Sequence, residues 1–275
     1  MLFRSGASPN IENPKKFSEI LLWQKVKWFK SDATDFVDKI KIKHRAKEII
    51  GKEICPKTIK IFTDAKSICL KNMPDKFVIK CNHNSGYVFL ARKHKNKYIF
   101  KDLKSNSKKT YNLWQVKMFF NVLMKFNHYY REFEWPYKSV KPMILAEEYL
   151  DMKDVVDYKF FMNYGKIKCF YVVFGRLGEV HSNYYDENLE YMDVWAASPP
   201  KKDGVTLPNS IKTMIKYAEK ISADFPCSRI DFYDYNGRPM LGEVTFFHQA
   251  GYIEYEHPAN FDEILGNMFS ISSLS

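Results

Sequence analysis

Apolar residues recur at helical spacing in the first fifty positions and in two later stretches. From Pro14 to Ile50 they lie mostly three or four positions apart, which predicts a Lys-rich helical N-terminal segment. The same spacing predicts a long amphipathic helix from Leu113 to Arg131 and another from Ser210 to Phe225. A short helix start is predicted at Asp64 to Ser67.

Short apolar runs bounded by turn residues predict strands between these helices. The runs are Phe77 to Lys80, Tyr87 to Ala91, Tyr98 to Phe100, Met143 to Ala146, Tyr158 to Met162, Ile167 to Phe174, Arg229 to Tyr233 and Pro239 to Phe247. Hairpin turns are expected at Asn163-Tyr164-Gly165 and Asp234-Tyr235-Asn236-Gly237. This order predicts an α+β fold in which two lobes face a cleft.

Changes in the pattern of apolar and charged residues along the chain predict three divisions. A helical N-terminal segment covers residues 1–56, a small lobe covers 57–148, and a large lobe covers 149–275. No internal repeat is visible. The last division contains the strongest candidate site.

Composition indicates an ordered protein. The chain has 275 residues, of which 45% are apolar and 16% aromatic, well away from the composition of disordered chains. No apolar run is long enough to span a bilayer and the first ten residues carry no apolar signal core, so we expect a cytoplasmic protein. The five cysteines are scattered without a CxxC pair, which argues against a zinc site or a disulfide framework.

The formal net charge of +11 favours an acidic partner. Nucleic acid, anionic lipid headgroups and acidic polysaccharide would all suit it. An ordinary solvated surface rich in lysine explains the charge equally well, so both interpretations stay open.

Lys80 closes an apolar strand and precedes a short polar loop that contains Asn82, His83, Ser85 and Gly86. Backbone N–H groups and small residues in such a loop can approach a phosphate closely. The alternative is a lysine at the edge of a sheet that reaches solvent before a turn. The loop is not a Walker motif.

Two carboxylates, Glu147 and Glu148, directly follow the strand that ends at Ala146, and Tyr149 and Leu150 come next. These carboxylates are suited to the ribose hydroxyls of a nucleotide, with the neighbouring backbone at an adenine edge. A solvated linker between lobes is the alternative.

The third segment pairs Asp231 with Glu243 across a predicted hairpin. An ideal two-residue turn at Asn236-Gly237 would place Asp231 opposite Gly242, whereas a three-residue loop with a glycine bulge would place it opposite Glu243. We predict the bulged register, in which a hard cation such as Mg²⁺ would relieve the repulsion between the carboxylates. The alternative is a surface ion-pair cluster centred on Arg229.

Further cations lie between these segments. Lys159 and Arg176 could neutralise a transferring phosphoryl group, or they could be solvated residues of strand faces. His83, His181 and His248 are isolated, and single histidines of this kind more often pack than catalyse.

Six segments in order resemble the TupA-like ATP-grasp family, which is associated with teichuronopeptide and bacterial surface-polysaccharide synthesis. They read NPKKFSEILLWQ, DKFVIKCNHNSG, ILAEEYL, DYKFFMNYGKI, DFPCSRIDFY and NGRPMLGEVTF. The resemblance implies an ATP-grasp fold with ATP held between two α+β lobes. It covers nearly the whole chain.

The resemblance also implies roles for the candidate residues. It places the ATP phosphates at Lys80 and its loop and the adenosine at Glu147 to Leu150. It implies Mg²⁺ at Asp231 and Glu243, with Thr245 where relatives often place an asparagine ligand. The basic residues expected to act in catalysis are Lys159, Arg176 and Arg229.

Two departures from the family pattern stand out. Asn84 replaces a glycine of the phosphate loop, and Phe247 to Gly251 replaces a turn rich in proline and glycine. The second departure affects the expected acceptor geometry more than ATP binding.

The activity implied is an Mg-ATP-dependent carboxylate–amine ligase that forms an acyl phosphate. In the family's context it would join an amino acid to a uronic acid of a capsule or O-antigen. A kinase acting on a sugar hydroxyl and a non-catalytic module for anionic glycan or nucleic acid are the alternatives. Nucleic acid is not expected as a partner of the ligase. A peripheral position of the protein at the inner membrane face stays open. The sequence does not indicate an oligomeric state.

Overall fold

A computed structural model describes residues 8–84, 87–105, 108–151, 156–175, 179–196, 198–200 and 205–271. The helices are α1 (Phe17–Lys27), α2 (Ala33–Val37), α3 (Lys41–Ile50), α4 (Leu113–Leu123), α5 (Tyr129–Glu132), α6 (Ile211–Ile221) and α7 (Phe261–Asn267). Two 3-10 turns, Trp135–Tyr137 and His248–Gly251, add to them.

The described residues pack as two compact units. One comprises Ser31–Arg45 and Cys55–Asp151, and we call it the β1–β6 unit. The other comprises the described parts of Met1–Lys30, Ala46–Ile54 and Met152–Ser275, and we call it the β7–β12 unit. The functional divisions predicted at residues 56 and 148 stay predictions.

The β1–β6 unit contains a six-stranded antiparallel sheet in the order β1-β6-β2-β3-β4-β5. Its strands are β1 (Thr58–Phe62), β2 (Lys76–Cys81), β3 (Val88–His94), β4 (Lys97–Asp102), β5 (Thr110–Tyr111) and β6 (Ile144–Glu148). Alternate residues such as Phe77, Ile79 and Phe89 point to one face and form the core with Val116 and Phe120 of α4. Lys80 and Glu147 therefore lie on the opposite face.

The β7–β12 unit contains a second antiparallel sheet, in the order β10-β9-β8-β7-β11-β12. Its strands are β7 (Asp157–Asn163), β8 (Lys166–Phe174), β9 (His181–Asp186), β10 (Tyr191–Met192), β11 (Ser228–Tyr235) and β12 (Arg238–Thr245). Helix α6 covers one face, where the ring of Tyr217 contacts Phe232. On the other face, Phe17 of α1 and Leu265 of α7 pack with Phe161.

Helix α1 is tied to this sheet by a buried polar side chain. Gln24 is fully buried, and its Nε2 donates to the carbonyl oxygens of Cys227 at 3.0 Å and Phe246 at 3.2 Å. A buried amide is tolerated when its donors are satisfied in this way. The two bonds fix α1 beside the segments that lead into β11 and out of β12.

The predicted strands are present, but several helix predictions were wrong. The helix expected to continue to Arg131 ends at Leu123, and α5 follows as a separate turn. Asp64 to Ser67 forms a turn closed by a 2.7 Å bond from the Ser67 amide to Asp64 Oδ1 and does not begin a helix. Strands β1, β5, β9 and β10 and helix α7 were not predicted.

All five cysteines lie within the described residues and are free, and Cys81, Cys169 and Cys227 are buried. Within the described ranges, no helix has the length and apolar character needed to cross a membrane.

Candidate functional site

A row of polar side chains crosses one face of the β7–β12 sheet. Glu243 lies opposite Asp231, and Asp231 in turn lies opposite Lys159. Tyr171 lies opposite Lys159 and continues the row. Thr245 lies opposite Arg229, two residues along each strand from Glu243 and Asp231. Because directly opposed and alternate residues of antiparallel strands share a face, these side chains converge on one surface.

The opposition of Asp231 and Glu243 depends on a bulge at Gly242. Asn236 and Gly237 both have positive φ and form a two-residue turn, and the ladder keeps its ideal register up to the pair of Phe232 and Leu241. The register shifts at the next step, so that Asp231 faces Glu243. The predicted register is confirmed, but the predicted three-residue loop was wrong, because the extra residue lies within the strand.

Asp231 is a buried carboxylate held by two cations. Arg229 donates from Nε to Oδ1 at 2.7 Å and from Nη2 to Oδ2 at 2.8 Å, and Lys159 Nζ also donates to Oδ2. Burial alone would raise the pKa of Asp231, but Arg229 and Lys159 lower it to about 2. The carboxylate is therefore ionised at any physiological pH.

Arg229 is the centre of this group. Its Nη1 donates to the Tyr171 hydroxyl at 3.5 Å and to Nδ1 of His248, and its Nη2 lies 3.4 Å from Thr245 Oγ1. Burial would lower the pKa of Arg229, but Asp231 raises it above its usual value. The alternative of an ion-pair cluster centred on Arg229 is thus present, although it is buried and not superficial.

His248 is neutral in this setting. A guanidinium can only donate, so Nδ1 of His248 accepts and Nε2 carries the proton. Burial, followed by the neighbouring Arg229, holds the pKa of His248 well below its usual value. Nε2 is buried and has no hydrogen-bond partner among the described residues.

The residues predicted as metal ligands offer oxygen donors of the type that Mg²⁺ prefers, and they share one sheet face. Asp231 carries three hydrogen bonds out of about four that a carboxylate can accept, so one position is open to a ligand. The donor chemistry therefore fits Mg²⁺. In the part of the chain that the structure describes, no group of three or more His, Cys, Asp or Glu side chains is placed to hold a metal.

A second charged group lies in the β1–β6 unit. Glu147 is buried, its Oε1 is paired with Lys80, and its Oε2 accepts from Lys43 Nζ at 2.9 Å. Burial would raise the pKa of Glu147, but Lys80 and then Lys43 bring it below its usual value. Lys43 also donates to the carbonyl oxygen of Pro56 at 2.6 Å.

The side chains of the predicted phosphate loop point inward where they are described. Asn82 is fully buried and bonds Asp38 Oδ1 at 3.0 Å and the Met143 amide at 2.7 Å. His83 Nε2 lies 3.2 Å from the carbonyl oxygen of Leu123, and burial lowers its pKa. A role of Asn82 and His83 in binding a nucleotide stays a prediction. The contacts would have to come from their backbone groups, because both side chains point inward.

The remaining predicted residues have mixed outcomes. Glu148 Oε1 accepts from the Lys57 amide at 2.7 Å, and the ring of Tyr149 lies 5.9 Å from Lys76 Nζ. Leu150 follows β6 in a partly exposed position. The predictions for Ser85, Gly86 and Arg176 lie outside the described residues. The assignment of Glu147 to Leu150 to adenosine stays a prediction.

The sequence interpretation missed Lys43 and Tyr171 and gave His248 little weight. Lys43 lies 104 positions from Glu147, within a lysine-rich helix, and nothing in its local pattern distinguishes it. Tyr171 pairs with Lys159 only because the β7–β8 ladder shifts between Phe161 and Met162. An ideal ladder that continued from the Tyr164-Gly165 turn would have placed Phe170, and not Tyr171, opposite Lys159.

Several solved structures share features with this chain at low identity. The D-alanine–D-alanine ligase of Bacillus anthracis in complex with ATP is 18% identical, with 77% of this chain and 56% of that chain covered and a TM-score of 0.41. The ADP complex of N5-carboxyaminoimidazole ribonucleotide synthetase is 10% identical, with 83% and 50% covered and a TM-score of 0.46. The L-amino acid ligase of Bacillus licheniformis is 14% identical, with 76% and 43% covered and a TM-score of 0.39.

The chain thus spans about half the length of these structures. Such distant likenesses say nothing about chemistry. No curated protein matches the chain. The family model for TupA-like ATPgrasp, in contrast, matches residues 19–270, which is most of the sequence. The chain therefore belongs to the TupA-like ATP-grasp family and has the ATP-grasp fold.

Proposed function

We propose that the protein is an Mg-ATP-dependent carboxylate–amine ligase. The observation that carries the proposal is the row of Lys159, Asp231 and Glu243 with Arg229 on one sheet face, in a chain of an ATP-grasp family. The row places fixed positive and negative charges side by side. Phosphoryl transfer depends mainly on such positioning and charge neutralisation.

In the proposed reaction, a carboxylate oxygen of the substrate attacks the γ-phosphorus of ATP. The bond between the γ-phosphorus and the β,γ-bridging oxygen breaks, and ADP leaves. An amine then attacks the acyl carbon, inorganic phosphate leaves, and the amine loses a proton. Lys159 and Arg229 neutralise charge on the transferring group, while Asp231 fixes the position of both cations through their shared ion pairs.

Asp231, Glu243 and Thr245 would hold Mg²⁺. When bound, the ion would neutralise phosphate charge and orient the phosphates. Lys80 would contact the ATP phosphates from the β1–β6 unit, and Glu147 and Lys43 would fix the position of its side chain. Arg176 is proposed as a further phosphate contact from the sequence alone.

The proposed substrates are an amino acid and a uronic acid of a bacterial surface polysaccharide, such as a capsule or O-antigen. The family's association with surface polysaccharides supports this choice, and the net charge of +11 suits an acidic glycan. The need for ATP and the five free cysteines fit the cytoplasm as the place of reaction.

Product stoichiometry tests the proposal. Purified protein with Mg-ATP, a uronic-acid glycan and an amino-acid mixture should release ADP and inorganic phosphate in equal amounts, with one amide formed per ADP. A kinase would release ADP and a phosphorylated acceptor without inorganic phosphate, and a binding module would release neither. Either of those outcomes would refute the ligase assignment.

A further inference from the structure

Helix α4 carries apolar side chains on both of its sides. Val116 and Phe120 are fully buried in the core of the β1–β6 unit. On the opposite side, Trp114, Met118 and Val122 repeat every fourth position, and 69%, 50% and 51% of their respective surfaces are exposed. Residues four apart lie on one side of a helix, so these three side chains form a continuous stripe.

The chain that follows α4 carries three more exposed aromatic side chains. Phe126, Tyr130 and Phe133 are 65%, 70% and 66% exposed. We call the six residues the α4–α5 stripe: Trp114, Met118, Val122, Phe126, Tyr130 and Phe133. Single exposed apolar residues are normal in proteins, but six large ones within twenty positions indicate an interaction surface.

The stripe lies in a strongly basic segment of the β1–β6 unit. Residues 101–141 contain nine lysines and arginines against three acidic residues. Two of those acids, Asp102 and Glu134, are buried, so the accessible charge of the segment is almost entirely positive. Lys125 and Arg131 are exposed within the stripe's own sequence.

We propose that the α4–α5 stripe docks the protein onto an anionic membrane surface. Aromatic and methionine side chains would enter the headgroup region, while the lysines and arginines would contact lipid phosphates. The combination of exposed Trp, Phe and Tyr with positive charge is typical of segments that lie at such an interface. A protein partner would need a face that is both acidic and apolar to match this surface, whereas every anionic membrane offers both features.

Vesicle sedimentation tests the proposal without ATP, so its result does not depend on the ligase assignment. Wild-type protein should sediment with vesicles that contain phosphatidylglycerol and not with vesicles of phosphatidylcholine alone. Replacing Trp114, Met118 and Val122 together with serine should lower binding about tenfold or more, because binding scales with the apolar area that is inserted.

The chain offers matched controls for both parts of the surface. Val26→Ser changes a valine on α1, in the other unit, that is 60% exposed against 51% for Val122, and it should leave vesicle binding unchanged, whereas Val122→Ser should weaken it. Lys125→Gln should weaken binding about fivefold, the usual contribution of one basic residue near a charged membrane. Lys220→Gln, on the exposed side of α6, makes the same charge change and should have no effect.

Tryptophan fluorescence locates the insertion. Of the five tryptophans, Trp114 alone is largely exposed, so vesicles with brominated lipid chains should quench wild-type emission. Trp114→Phe should abolish most of the quenching while sedimentation is largely retained. Quenching that survives this substitution would place another surface in the membrane.

Three results would overturn the proposal. The first is a wild-type protein that binds neither type of vesicle. The second is vesicle binding that the triple serine variant retains. The third is a stable dimer, seen by analytical ultracentrifugation, that the same variant converts to monomer, because the stripe would then be an interface between two copies of the chain.

Discussion

Asp231 faces Glu243 across β11 and β12 only because Gly242 adds one residue to β12. The ladder between the turn and this point would otherwise pair Asp231 with Gly242. A Cβ on Gly242 would lie 2.7 Å from Cε2 of Tyr233 and 3.3 Å from the carbonyl oxygen of Asp231. Glycine thus allows the bulge, and the bulge brings the two carboxylates together.

Gly242→Ala should therefore disturb the carboxylate pair. The added methyl group must displace the Tyr233 ring or the strand, at a cost of about 1–3 kcal/mol in the free energy of unfolding. We expect the Mg²⁺ concentration for half-maximal ATP turnover to rise as well. Urea unfolding and a metal titration of ADP release measure the two effects.

Gly237→Ala is the matched control. Gly237 has a φ of +78° in the turn, with nothing within 4 Å of an added Cβ, so alanine should cost about 1 kcal/mol through backbone strain alone. Its Mg²⁺ dependence should stay that of the wild type. If both variants shift the metal requirement equally, the bulge has no special role.

Asp231→Asn should be among the most damaging single substitutions in the β7–β12 unit. It leaves Arg229 and Lys159 buried without their carboxylate, and breaking a buried ion pair costs roughly 3–5 kcal/mol. Glu243→Gln, at a partly exposed position, should cost about 1 kcal/mol or less but abolish turnover.

Chemical denaturation measures the free energy of unfolding of each variant, and ADP release measures its turnover. Glu187→Gln, an exposed substitution in the same unit, serves as the control. A Glu243→Gln protein with undiminished turnover would remove Glu243 from the proposed metal site.

Short apolar runs bounded by turn residues predicted most strands of both sheets, because central strands such as β2, β6 and β7 are buried along most of their length. Periodicity failed where packing decides the outcome. Apolar spacing continues past Leu123, yet Phe126 and Tyr130 are exposed, so no core holds the helix together beyond α4. The spacing alone does not reveal whether an apolar face is buried.

The candidate site was predictable to the extent that it depends on local register. Arg229 and Asp231 share a face because they are two positions apart on one strand. The strand that contains Lys159, which lies opposite Asp231, was predicted from its own apolar residues. The contacts of His248 with Arg229 and of Lys43 with Glu147 join distant parts of the chain. Only tertiary packing creates such contacts.

Glu147 is expected to act on ATP through Lys80. Glu147→Gln should raise the KM for ATP because Lys80 and Lys43 lose their common carboxylate. In a double-mutant cycle with Lys80→Met, the two changes should be strongly non-additive, with a coupling energy of about 1–3 kcal/mol. Steady-state kinetics with varied ATP provide the measurement.

Glu148→Gln is the control for this cycle, since the hydrogen bond described for Glu148 comes from the backbone amide of Lys57 and not from a lysine side chain. It should show little coupling to Lys80→Met. Additive effects of Glu147→Gln and Lys80→Met would instead favour a direct contact between Glu147 and the nucleotide.

Stability should fall as the pH drops below about 6.5, the value at which histidines of the unfolded chain take up protons. Burial lowers the pKa of both His83 and His248, so the folded protein keeps them neutral when the unfolded chain is already protonated. The stabilisation is complete above the unfolded pKa and is lost as the pH falls toward the folded values. Each group contributes a slope of up to about 1.4 kcal/mol per pH unit.

Urea unfolding at a series of pH values between about 7.5 and 5 measures this slope. His83→Gln and His248→Gln should each lower stability near neutral pH and also flatten the decline, because glutamine takes up no proton. Asn96→Gln, an exposed substitution in the β3–β4 hairpin that removes no titrating group, should leave the slope unchanged. If all three variants decline as steeply as the wild type, protonation of the two buried rings is not what weakens the fold.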